Sequence, residues 1–149
     1  MKPYRKFGVM VATSTIVIFG LLYLSTYQLA DVFFSETWAY TALIMGSAVA
    51  IILLGFTREL YPDRRVNLGI FGGSAAILVV ALWLLRSQRT VGDVSYMKAM
   101  IPHHSAAILT SNRARISDPR VRKLAEIIIS SQGRQIEEMK DLINDMEGR

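Results

Sequence analysis

The sequence predicts an all-α protein in which three transmembrane helices are followed by an extramembrane antiparallel helical hairpin. Three observations carry that prediction. Over half of the 149 residues are apolar and the mean hydropathy is +0.32, more than an ordinary small soluble domain carries. The apolar residues gather before residue 86 in three runs, each near the roughly 20 residues that cross a hydrocarbon core. From Arg86 onward the chain is charged and its apolar positions recur with a helical period, interrupted once at Ser117-Asp118-Pro119. Residues 1–90 therefore read as a membrane region and residues 91–149 as an extracytoplasmic hairpin domain.

The three runs cover about 7–27, 38–56 and 68–85. The first follows Lys2, Arg5 and Lys6 but is longer than a signal-peptide core, and no clear small-x-small cleavage site follows it, so it is expected to be retained. Lys and Arg accumulate in cytoplasmic loops. The N-terminus and the loop holding Arg58, Arg64 and Arg65 are accordingly expected in the cytoplasm, and the loop holding Asp31 and Glu36, which has no base, outside. Three spans of a bacterial inner membrane then deliver the hairpin to the periplasmic or extracellular side, although Arg86 and Arg89 weigh against this. Tyr27, Trp38 and Trp83 suit the outer interface, and Tyr4 and Tyr61 the inner one. No Asp, Glu, Lys, Arg or His lies within a span, which argues against an ion or proton pathway. Gly46 with Ala50, and Gly69 with Gly73, are small pairs that let helices approach closely.

In the polar region Gly92 and Asp93 mark a break and an N-cap, and the first hairpin helix is expected over about 94–116. Pro102 either lies inside this helix, leaving the Lys98 carbonyl without its donor, or starts it. Asp118 caps the second helix and Pro119 fits its first position, giving a helix over 119–147 with Gly148 beyond its end. So short a link makes the helices antiparallel.

At 100° per residue, Met97, Met100, Ile101, His104, Ala107, Ile108 and Ser111 share the inward face of the first helix. Lys98, Pro102 and Arg113 point away, and His103 stands on the flank. The second helix gathers Leu124, Ala125, Ile128, Ser131, Gln132, Gln135, Met139, Leu142, Ile143 and Met146. Folding the hairpin sets Ser131 level with His104, Gln135 with Met100, and Met139 near Met97. One hairpin is too thin to bury both faces, so a second copy is expected to complete a four-helix bundle as a homodimer or higher oligomer.

Composition limits the chemistry. The polar region interleaves 11 Lys/Arg with 8 Asp/Glu, which is not the clustered basic strip of a nucleic-acid footprint. With no cysteine there is no disulfide, thiolate ligand or thiol nucleophile. No serine, histidine and acid set or phosphate loop is visible, so no enzyme is expected. The only two histidines, His103 and His104, lie in residues 96–104 beside Met97 and Met100, and inward glutamines are costly to bury unpaired. Either these methionines fill a core, as Met readily does, or the cluster holds a metal. Thioether and imidazole without thiolate or inward carboxylate select Cu(I), then Ag(I), over zinc. A di-iron site needs Glu three residues before His, where Met100 and Ile101 stand.

Met97-x-x-Met100-Ile101-Pro102-His103-His104, then Ala107-Ile108, Asp118-Pro119-x-Val121-Arg122-x-Leu124-Ala125 and Ile128-x-x-Ser131-Gln132-x-x-x-Ile136-x-x-Met139, resembles domain-of-unknown-function family 305 over about 96–143. The resemblance implies a ferritin-like helical bundle and, from some members, copper binding. It implies Met97, Met100, His103, His104 and Met139 as ligands, with Gln135 behind them holding an imidazole or a water. Many members have Gln after the histidine pair and a Met six residues after the second histidine, where this chain has Ser105 and Thr110. The expected function is Cu(I) sequestration or handover to a copper-handling partner at the bilayer; the rival is a tethered oligomerising bundle without metal.

Overall fold

A computed structural model describes residues 2–148. Five α-helices follow in order: α1 (Lys2–Leu21), α2 (Glu36–Thr57), α3 (Arg64–Ser87), α4 (Asp93–Arg113) and α5 (Pro119–Glu147). Short 3-10 turns occupy Leu22–Ser25, Leu29–Asp31 and Arg58–Leu60. Among the described residues there is no strand. The all-α class stands as the sequence predicts, and Pro3–Ser25, Glu36–Leu60 and Arg64–Ser87 are long and apolar enough to cross a membrane.

The chain divides into two compact units, but not by one cut near residue 90. The first holds the residues up to Leu22 and Thr37–Thr90; the second holds Tyr23–Glu36 and the chain from Val91 onward. In the first, Phe7, Ala50, Leu54 and Tyr61 form a buried cluster, with Tyr61 set edge-on to Phe7 at 5.4 Å. The Tyr4 hydroxyl accepts from the Asp63 N–H at 3.0 Å and lies 3.0 Å from Asn67 Oδ1. Asp63 also caps α3 by accepting from the Arg65 and Val66 N–H groups. Of the two small pairs, Gly46 and Ala50 are buried, and a Cβ on Gly46 would fall 2.1 Å from Thr15 Oγ1. A Cβ on Gly69 or Gly73 would meet open space.

The second unit is the hairpin plus a segment that the sequence places in a simple loop. α-Helical bonding in the first span stops at Leu21, earlier than the hydrophobic run suggests; a 3-10 turn follows over Leu22–Ser25, and beyond it the Tyr27 N–H bonds to the hairpin. The α4–α5 core consists of Met97, Ile101, Ile108, Ile136 and Ile143, with Phe33 from the segment packed against it. Asp118 caps α5 through the Arg120 N–H at 2.8 Å, with Pro119 first in the helix. α4 is continuous through Pro102, which settles its place as interior to the helix.

Candidate metal centre

The buried face of α4 differs from the one helical spacing assigns it. Pro102 and Ser105 are fully buried, although spacing turns Pro102 outward and leaves Ser105 off the inward face. The cause is a third layer. The Tyr27 N–H donates to Ser105 Oγ at 2.8 Å, and Ser105 Oγ donates to Asp31 Oδ2 at 2.6 Å. Lys140 Nζ from α5 meets Asp31 Oδ1 at 2.9 Å. Residues 23–36 thus cover one groove between the helices, and α4 buries a second flank there. On α5 the buried stripe runs through Ala125, Ile136 and Ile143, while Leu124, Gln135, Leu142 and Met146, expected to face inward, are exposed.

The candidate ligands separate into two groups. Met97 is buried and Met139 half-buried in one apolar cluster with Ile101 and Ile136. Met100 and His104 are half-buried one turn apart, outside that cluster, and on the side away from Asp31. His103 is exposed, its ring centroid 6.3 Å from that of His104. The structure therefore does not gather all five groups around one point.

His104 is the most defined of them. Its Nδ1 lies 2.9 Å from the Met100 carbonyl oxygen, and an acceptor there requires the proton on Nδ1, which leaves the Nε2 lone pair as donor to a ligand. The Gln135 side chain reaches the ring, where Nε2 is the one nitrogen left to it, so a ligand at Nε2 has to displace that contact. Burial pushes the imidazole below the ordinary histidine range, outweighing the Met100 and Gln135 bonds that favour protonation, and His103 adds to the lowering. A neutral, oriented imidazole is the form that binds metal. Gln135 meets His104, although Met100 is the residue level with it by backbone counting. Side chains lean toward the N-terminus of their own helix, so in an antiparallel pair the tips of His104 and Gln135 approach each other.

Among the described residues no three His, Asp or Glu side chains converge on a point. The residues the sequence does not single out are Asp31, Ser105 and Lys140. An acidic residue in a short loop between apolar runs carried no signal of burial.

An uncharacterized protein of Acanthamoeba polyphaga mimivirus is 38% identical over 71 residues, covering 46% of this chain. The match takes in 47% of that protein, so the chain spans about half the length of the relative. No solved structure is significantly similar to the chain. Residues 93–149, the whole of α4 and α5, match the family described as a domain of unknown function, DUF305.

Proposed function

We propose that the hairpin binds a soft metal ion, foremost Cu(I), on the outer side of a membrane, for sequestration or handover and not for catalysis. The observation that carries this reading is His104: an imidazole, half-buried, with Nδ1 committed to the Met100 carbonyl and Nε2 therefore the nitrogen that would face a ligand. The donors fit the ion. Imidazole and thioether without thiolate suit Cu(I), and His104 with Met100 would hold it. The exposed His103 would serve as the accessible ligand through which an ion is passed to a partner protein. For Met97 and Met139, their place in the apolar core favours packing over ligation.

The test is an anaerobic Cu(I) competition titration of the full chain in detergent against a colorimetric chelator. His104→Ala and Met100→Ala are expected to weaken uptake, and Met97→Leu to leave it unchanged. Equal, weak uptake by the unaltered chain and a His103→Ala/His104→Ala variant would overturn the proposal in favour of a purely structural bundle.

A further inference from the structure

The hairpin has two broad faces, and only one is covered. Residues 23–36 lie over the groove that holds Ser105 and Lys140. The opposite face carries Met100 and His104 and a stripe of α5 residues spaced by three and four. Its apolar members are open: Val121 is 49% exposed, Leu124 55%, Leu142 46% and Met146 40%. A groove of about 270 Å³, lined by Ile116, Val121, Leu124 and Ile128 among others, opens beside it.

The pattern along the stripe identifies what covers it. It is apolar at both ends and polar at Ser131 and Gln135 in the middle. Laid antiparallel on itself, the register that sets Leu124 opposite Leu142 of a second copy also sets Ser131 opposite Gln135 and brings Val121 within one residue of the level of Met146. The charges that border the stripe have a complementary arrangement: Arg120 stands at the start of α5 and Asp145 near its end. An antiparallel copy brings Arg120 of each chain close to the level of Asp145 of the other, whereas a parallel copy sets like against like.

We infer that a second copy of this chain docks antiparallel across this face, bringing Met100 and His104 of both copies together beside the two-fold axis as one site that neither hairpin completes alone. The two hairpins make a four-helix bundle with an isologous interface. The shared site rests on the metal-binding reading above; the docking does not.

The chain has no cysteine, so single cysteines report the register directly. Two differently tagged full-length chains, Leu124→Cys and Leu142→Cys, are oxidised in membranes separately and after co-expression. The expected result is a disulfide-linked dimer of one chain of each kind, and no link in either chain alone. Links between two Leu124→Cys chains, or a monomeric mass with no link in any combination, would overturn the docking. Cu(I) titration of the unaltered chain should then give one ion per two chains. Leu124→Asp should lower that affinity about tenfold or more, the scale on which lost supporting contacts weaken a metal site. One ion per chain, unchanged in Leu124→Asp, overturns the shared site and leaves the metal reading standing. A linked dimer that takes up no Cu(I) overturns the metal reading, and the shared site with it, while upholding the docking.

Discussion

Lys140 Nζ lies 2.9 Å from Asp31 Oδ1, joining the last long helix to a segment between the first two apolar ones. The Asp31 side chain is 5% exposed and that of Lys140 22%. Burial alone would lower the pKa of the Lys140 ammonium, but Asp31 and Glu137 outweigh it and hold the group above the ordinary lysine value. A raised pKa contributes stability that is complete below the unfolded value and lost only as pH rises through the higher folded one, so the pair is intact throughout the neutral range.

Breaking this pair from one side leaves a charge without its partner in a poorly solvated place. Asp31→Ala is expected to destabilise the hairpin unit by about 3 kcal/mol, as for other buried pairs deprived of one member. Replacing both, as Asp31→Leu/Lys140→Met, should recover most of that loss. Hydrogen exchange of α4 and α5 amides in the full chain measures both; equal protection in Asp31→Ala and the unaltered chain would refute the role given to the pair.

Ser105 shows why one departure from the family pattern is accommodated here. Its hydroxyl, fully buried, accepts from the Tyr27 N–H and donates to Asp31, so a longer side chain has no room without moving the segment. Ser105→Ala should cost about 1–3 kcal/mol by leaving a buried donor and acceptor unmet. Ser105→Gln should instead release residues 23–36, seen as faster proteolysis of that segment with α4–α5 helicity retained.

The helices and the hairpin turn were legible because length, hydropathy and the Asp118-Pro119 cap act locally. The face of α4 was not, for a physical reason. Helical spacing finds the single direction of greatest apolarity, and α4 is packed from two directions, by α5 on one flank and by Asp31 and Phe33 on the other. The second contact is polar, so Pro102 and Ser105 gave no apolar signal of burial. The Gln135–His104 meeting was nearly legible, missed by counting backbone levels without the lean of side chains.

Gly46 sets how closely α1 approaches α2. A Cβ there would lie 2.1 Å from Thr15 Oγ1 and 3.0 Å from both Thr15 Cβ and Cγ2, so rotating the threonine cannot clear it. The Thr15 hydroxyl is also bonded to the Val11 carbonyl at 2.9 Å. Gly46→Val should therefore lower the thermal stability of the full chain in detergent, and Thr15→Gly should restore part of it. Unchanged stability in Gly46→Val would show that the two helices separate freely.

His104 gives the hairpin an acid-side dependence whose sign follows from its environment. Because burial lowers the folded pKa below the ordinary value of about 6.5, folding is favoured by the neutral ring. The contribution is complete above the unfolded pKa and lost as pH falls through the lower folded one. Hydrogen-exchange protection of α4 and α5 should therefore decline as pH is lowered from 7 toward 5, after correction for intrinsic exchange. His104→Gln, which cannot take up the proton, should flatten that decline, whereas His103→Ala removes an exposed ring and should preserve it. The same lowering keeps Nε2 unprotonated further into acid, so Cu(I) uptake by the unaltered chain should persist below the pH at which a solvent-exposed histidine is half protonated. Identical pH profiles for the unaltered chain and His104→Gln would assign the acid sensitivity to the carboxylates instead.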